Sequence, residues 1–148
     1  MKHVNRLMVV AWIIAALQLS ACREKSAEEE AENESAKVER VAGTTVSSVR
    51  LTEDAIKRLD IQKAPVRDVQ VRGKQRKVIP YAAVLYDPEG ATWAFTNPKP
   101  LLFVRQAIKV DYIVGDQAVL FEGPPSGTAV VTVEAAELFG AEIGVGEP

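Results

Sequence analysis

The chain has 148 residues, 47% hydrophobic and 26% charged, with 18 Lys+Arg against 20 Asp+Glu. That size and balance fit one ordinary globular domain, and the mild acidity argues against a nucleic-acid binder, which needs a basic face. The only histidine (His3), both methionines (Met1, Met8) and the only cysteine (Cys22) all fall within the first 22 residues. The remainder therefore lacks the usual ligands of a zinc or copper site and the imidazole of a nucleophilic triad. A carboxylate-only site stays formally open, but no EF-hand-like loop is present. We expect a non-catalytic protein without metal or other cofactor.

Lys2, His3 and Arg6 form a positive start, and Leu7 to Leu19 an apolar run broken only by Gln18. This is the pattern of a secretory signal, too short for a comfortable membrane span. The run ends in Leu19-Ser20-Ala21-Cys22, which matches the lipobox read by bacterial lipoprotein signal peptidase. The match implies cleavage before Cys22, a thioether-linked diacylglycerol on its sulfur and an acyl chain on the new amino terminus. Several chains hold a membrane stably where one holds it marginally. Removal of residues 1–21 leaves 127 residues, with 16 Lys+Arg against 20 Asp+Glu. With Cys22 lipidated no thiol remains for a disulfide.

Residues 23–45 hold seven glutamates and few large apolar side chains, too little to offset the entropy of ordering. We assign 22–45 to the lipidated terminus and an acidic, disordered tether, and 46–148 to the folded domain. In that domain Val46–Leu51 suggests a strand. Thr52 then stands where a helix N-cap belongs, with Glu53 and Asp54 in the first turn and Lys57 and Arg58 near the end of about two turns. From Ile61 to Gly73 the alternation suits a strand, although Val66 misses the phase of Val69 and Val71 by one residue. Val78–Tyr86 is apolar on both faces and predicts a strand buried on both sides, with Pro80 placing Val78–Ile79 at an edge or a strand start. Asp87-Pro88-Glu89-Gly90 is a turn, and Thr92–Thr96 returns as the second arm of a hairpin. Leu102–Val114 reads as one half-buried strand, or two joined by a bulge. Ala118–Phe121 and Thr128–Val133 are further strands, and Glu134–Gly140 suggests one helical turn. The fold class is mainly β: a small antiparallel domain with one short helix.

Two separated blocks resemble the membrane-proximal β-domain of periplasmic adaptor proteins, the membrane fusion proteins of RND-type efflux pumps. "VRLTEDAIKRLDIQKAPV" is similar to the family's leading strand-and-helix segment. "VIPYAAVLYDPEGATWAFT" is similar to its return segment, followed by "FVRQAIKV" and the closing "EGPPSGTAVVTVEAAEL". Pro80, Ala83, Val84, Arg105, Val110, Gly123, Gly127, Val130, Val131 and Leu138 match the family pattern. Pro124 replaces its leucine, Thr128 its aspartate and Glu134 its third glycine. Between the two blocks such adaptors carry a lipoyl domain, a helical hairpin and a β-barrel, where this sequence has only "RDVQVRGKQRK". Bridging of two membranes is therefore not expected.

The resemblance implies a surface that docks on an efflux transporter or on a full-length adaptor. Tyr81, Trp93, Arg105 and Tyr112 are the candidate partner or ligand surface. The alternative is a solitary ligand-binding or structural envelope lipoprotein. Both readings place the protein on the periplasmic side of the bacterial envelope. Arg23, in place of aspartate after the cysteine, favours the outer membrane.

Overall fold

The computed structural model describes residues 35–144; the signal, the lipobox and Cys22 lie outside the described residues. Two antiparallel sheets make the domain, mainly β as the alternation predicts. The larger sheet has the order β1-β2-β8-β7-β11-β3, with β6 also paired to β7, and the smaller β4-β5-β10-β9. In chain order the strands are β1 Ala36–Arg40, β2 Ser47–Leu51, β3 Lys63–Pro65, β4 Arg67–Val71, β5 Lys74–Pro80 and β6 Leu85–Tyr86. They continue with β7 Thr92–Lys99, β8 Leu102–Ala107, β9 Lys109–Val114, β10 Gln117–Glu122 and β11 Ala129–Val131. Helix α1 spans Glu53–Arg58 and helix α2 Ala135–Glu142.

The core has two compartments. Val66, Ile79, Ala118 and Leu120 meet Ala94 and Val130 between the sheets. Val49, Phe95, Phe103 and Val131 meet Ala55 of α1 and Ala135 and Leu138 of α2 on the other face of the larger sheet. The alternation of strand side chains explains the division: Ala94 and Phe95, or Val130 and Val131, point to opposite faces. The larger sheet is thus the middle of three layers.

The chain passes between the sheets at four places, each marked by a buried residue: Val66, Ala83–Val84, Ile108 and Pro124. These crossings correct three expectations. Residues 61–73 form two strands in different sheets, and the phase slip at Val66 is the crossing itself. Val78–Tyr86 is not one strand: β5 ends at Pro80, a 3-10 turn covers Tyr81–Ala83, and β6 belongs to the other sheet. Nor is β5 an edge, since it pairs with both β4 and β10; Pro80 is tolerated as its last residue. Leu102–Val114 likewise divides at Ile108. At the fourth crossing Gly123 packs so closely that an added Cβ would lie 2.6 Å from Leu120 Cδ1.

Two further corrections concern the ends. Residues 36–40, read as tether, form β1, which pairs along its length with β2. All but Ala36 are exposed in β1, so no apolar alternation announces it. Residues 135–142 form two helical turns rather than one. Glu134 precedes α2 with φ 64°, a left-handed backbone that costs a residue with a Cβ roughly 1–2 kcal/mol and glycine almost nothing. Replacement Glu134→Gly should stabilise the domain by about 1 kcal/mol, seen as a higher denaturation midpoint at unchanged slope.

Candidate functional site

The hairpin β6–β7 carries the most elaborate side-chain chemistry of the described residues. Its turn closes with Gly90 N–H donating to the Asp87 carbonyl at 2.9 Å, and Gly90 takes φ 83°. The Asp87 carboxylate accepts from the Ala91 N–H at 2.7 Å and from Trp93 Nε1 at 2.9 Å. The indole hydrogen bond, first among several contributions, holds the Asp87 carboxyl below the usual carboxylate range. Because the folded-state value is depressed, this stabilisation is present above the ordinary carboxylate range and is lost as pH falls through the folded-state value. An acid titration followed by NMR should therefore move the Trp93 indole N–H resonance only below that range, and Asp87→Asn should abolish the step.

Behind Trp93 the ladder places Arg105 of β8 opposite Phe95 of β7, on the face that carries the helices. The Arg105 guanidinium stacks 4.4 Å from the Trp93 ring and 5.2 Å from Phe139 of α2. Its Nε donates to Glu142 Oε1 at 2.9 Å and lies 2.8 Å from Oε2, an ionic contact without hydrogen-bond alignment. Oε1 also accepts the Ser47 N–H of β2 at 2.8 Å. The Glu142 side chain is 2% exposed and that of Arg105 13%. A carboxylate in the last turn of a helix opposes the helix dipole, so Glu142 owes its place to Arg105 and the Ser47 N–H. The arrangement is a bolt: one ion pair joins α2 to β2 and β8, and the charge of Arg105 is spent inside the protein.

A shallow cleft of about 660 Å³ opens beside this bolt, lined by Trp93, Arg105, Gln106 and the loop Thr44–Val46. Of the four residues singled out in the sequence, Trp93 and Arg105 meet here. Tyr81 and Tyr112 do not line it. Tyr81 sits on the 3-10 turn, 41% exposed, where its hydroxyl is the main cause that raises the Tyr86 phenol above its ordinary range. Tyr112 lies on β9 in the other sheet, opposite Val119. Sequence reading missed Glu142, which stands 37 positions from Arg105 and carries no local signal of burial. Among the described residues no group of three or more His, Cys, Asp or Glu side chains could hold a metal, and no helix is long and apolar enough to cross a membrane.

No family model matches the chain, and no curated protein or solved structure is significantly similar to it.

Proposed function

We propose that the protein is a lipid-anchored, non-catalytic envelope module, adaptor-like, that serves as an accessory subunit of an efflux transporter on the periplasmic side of the outer membrane. The observation that carries this reading is the interleaving of the two resembling blocks. β2 of the leading block pairs with β8, and β3 pairs with β11 of the closing segment. A domain whose family counterpart is assembled from two distant stretches needs those stretches to complete one sheet, and here they do. The left-handed backbone at Glu134 falls where the family pattern has glycine, which agrees with the same reading. The β6–β7 hairpin is then scaffold, with the Arg105–Glu142 bolt behind it.

Crosslinking of intact envelopes, gentle solubilisation and mass spectrometry of the recovered complex test it. A transporter or full-length adaptor at near-stoichiometric yield supports the accessory role. Recovery of the bait alone, with crosslinks efficient elsewhere, sinks it. The cleft beside Trp93 favours the second reading, a solitary ligand-binding lipoprotein. In that case Trp93 fluorescence responds saturably to one of a panel of amphiphiles.

A further inference from the structure

The smaller sheet buries one face in the core; on the other, Val78 and Val119 at its centre are buried, at 2% and 4% exposure, and the charged and apolar side chains around them reach solvent. Antiparallel partners share a face, so the pairing fixes what that face presents. Arg67 lies opposite Val78 and Arg76 opposite Val69; Val78 in turn lies opposite Val119, and Val119 opposite Tyr112. Lys74 and Val114 belong to the same set by the two-residue repeat. Phe121, two residues beyond Val119, is 65% exposed with the Arg76 guanidinium 5.9 Å from its ring, and Val114 is 62% exposed. Of the acids nearby, Asp111 is tied to Arg76 at 2.9 Å, Glu122 pairs with Lys109 at 2.8 Å, and Asp68 points to the opposite side of the β4–β5 ribbon.

The charge on this ribbon departs from the rest of the chain. Residues 67–77 hold five Lys and Arg against one aspartate, in a protein of net charge −2. A second copy of the same basic face would be repelled by it. A surface that combines cations with isolated, exposed apolar side chains fits the headgroup region of an anionic bilayer, where the cations meet phosphates and the rings reach the acyl boundary. Thirteen residues separate Cys22 from Ala36, so an anchored cysteine keeps the first strand within about 50 Å of the membrane at full extension.

We infer that the outer face of the β4-β5-β10-β9 sheet docks on an anionic phospholipid surface, through Arg67 and Lys74 on its β4–β5 side, with Phe121 beside the Arg76–Asp111 pair and Val114 at its β9 edge reaching the bilayer. The inference rests on the lipid anchor of the preceding reading. It adds a second contact, one that sets the orientation of the domain.

The test uses the full lipidated protein in vesicles. Once Cys22 carries its lipid, a cysteine introduced by Val114→Cys is the only thiol and accepts an environment-sensitive dye; Glu53→Cys on α1 provides the control position. Vesicles of phosphatidylcholine alone are compared with vesicles containing a third of phosphatidylglycerol, each with brominated lipid as quencher. The expected result is a blue shift and quenching at position 114, absent at 53, seen only with the anionic lipid and reversed by high salt. Arg67→Glu with Lys74→Glu should lower the docked-to-undocked ratio on the order of 25-fold or more, about fivefold for each cation removed. A dye that stays in water in both vesicles overturns the inference. Quenching of equal size in neutral vesicles overturns it too, because something other than anionic lipid then covers the face. The mass of the Cys22 peptide reads the anchor separately: an unlipidated Cys22 removes the preceding reading and this inference together, whereas a lipidated protein with an unquenched dye removes only the inference.

Discussion

Arg105→Ala should destabilise the folded domain by about 3–5 kcal/mol, because it leaves the Glu142 carboxylate buried without its counter-charge. Glu142 is 2% exposed and its Oε2 atom has no hydrogen-bond donor, so the guanidinium is its counter-charge in the folded domain. The same replacement removes the stack against Trp93 and Phe139, a further loss of packing. Glu142→Gln should cost less, about 1–2 kcal/mol, because its carbonyl oxygen can still accept the Ser47 N–H. Arg105→Lys should fall between the two, since an ammonium neither stacks nor presents the guanidinium plane. Urea denaturation of the three variants checks the order. A cost for Arg105→Ala below that of Glu142→Gln would show that the pair does not bolt the helix.

Phe95→Ala is expected to cost about 3–5 kcal/mol as well, by a different route. Phe95 is fully buried between β7 and the two helices, among Phe103, Val131 and Leu138. Its removal leaves a void that three elements must collapse to fill, and the ladder of β7 with β8 holds the backbone in place. Phe95→Leu keeps most of the volume and should cost under about 1.5 kcal/mol. The ratio of the two costs, read from equilibrium unfolding, separates packing from the loss of an aromatic contact. Equal costs would mean that the site does not depend on filled volume.

Local chemistry was legible wherever a short stretch decides its own conformation. Thr52 caps α1 by accepting the Ala55 N–H at 3.2 Å, with Glu53 and Asp54 in its first turn, as the order of those residues predicts. Asp87 to Gly90 turns the chain for the same reason. Alternation also told strand from helix throughout β8 and β10. What it could not tell is which sheet a strand joins, because both sheets ask for the same period of two. Val66 therefore looked like a phase slip, and Leu102–Val114 like one strand or two joined by a bulge, although Val66 and Ile108 each mark a passage between layers. The candidate site was half legible. Trp93 and Arg105 were picked out as an aromatic and a cation, but Glu142 is one glutamate among many, and only the approach of α2 to β8 gives it a partner. β1 was invisible because its exposed, charged side chains are chosen by solvent, while its pairing is made by backbone alone.

The four crossings between sheets have a consequence for how the molecule comes to be made. β2 lies beside β8, whose first residue comes 51 positions after Leu51, and β3 finds its neighbour only in β11, near the end of the described chain. Neither sheet can be completed from one continuous run of sequence, so neither is an independent folding unit. A chain threaded through an export channel from its amino terminus would expose the β1–β2 ribbon for the time needed to deliver the rest. Assembly must then be late and concerted, with a slow closing step dominated by distant pairings. Until that step was taken, a chain exported in this way would be a client for whatever holds unfolded proteins on the far side of the membrane.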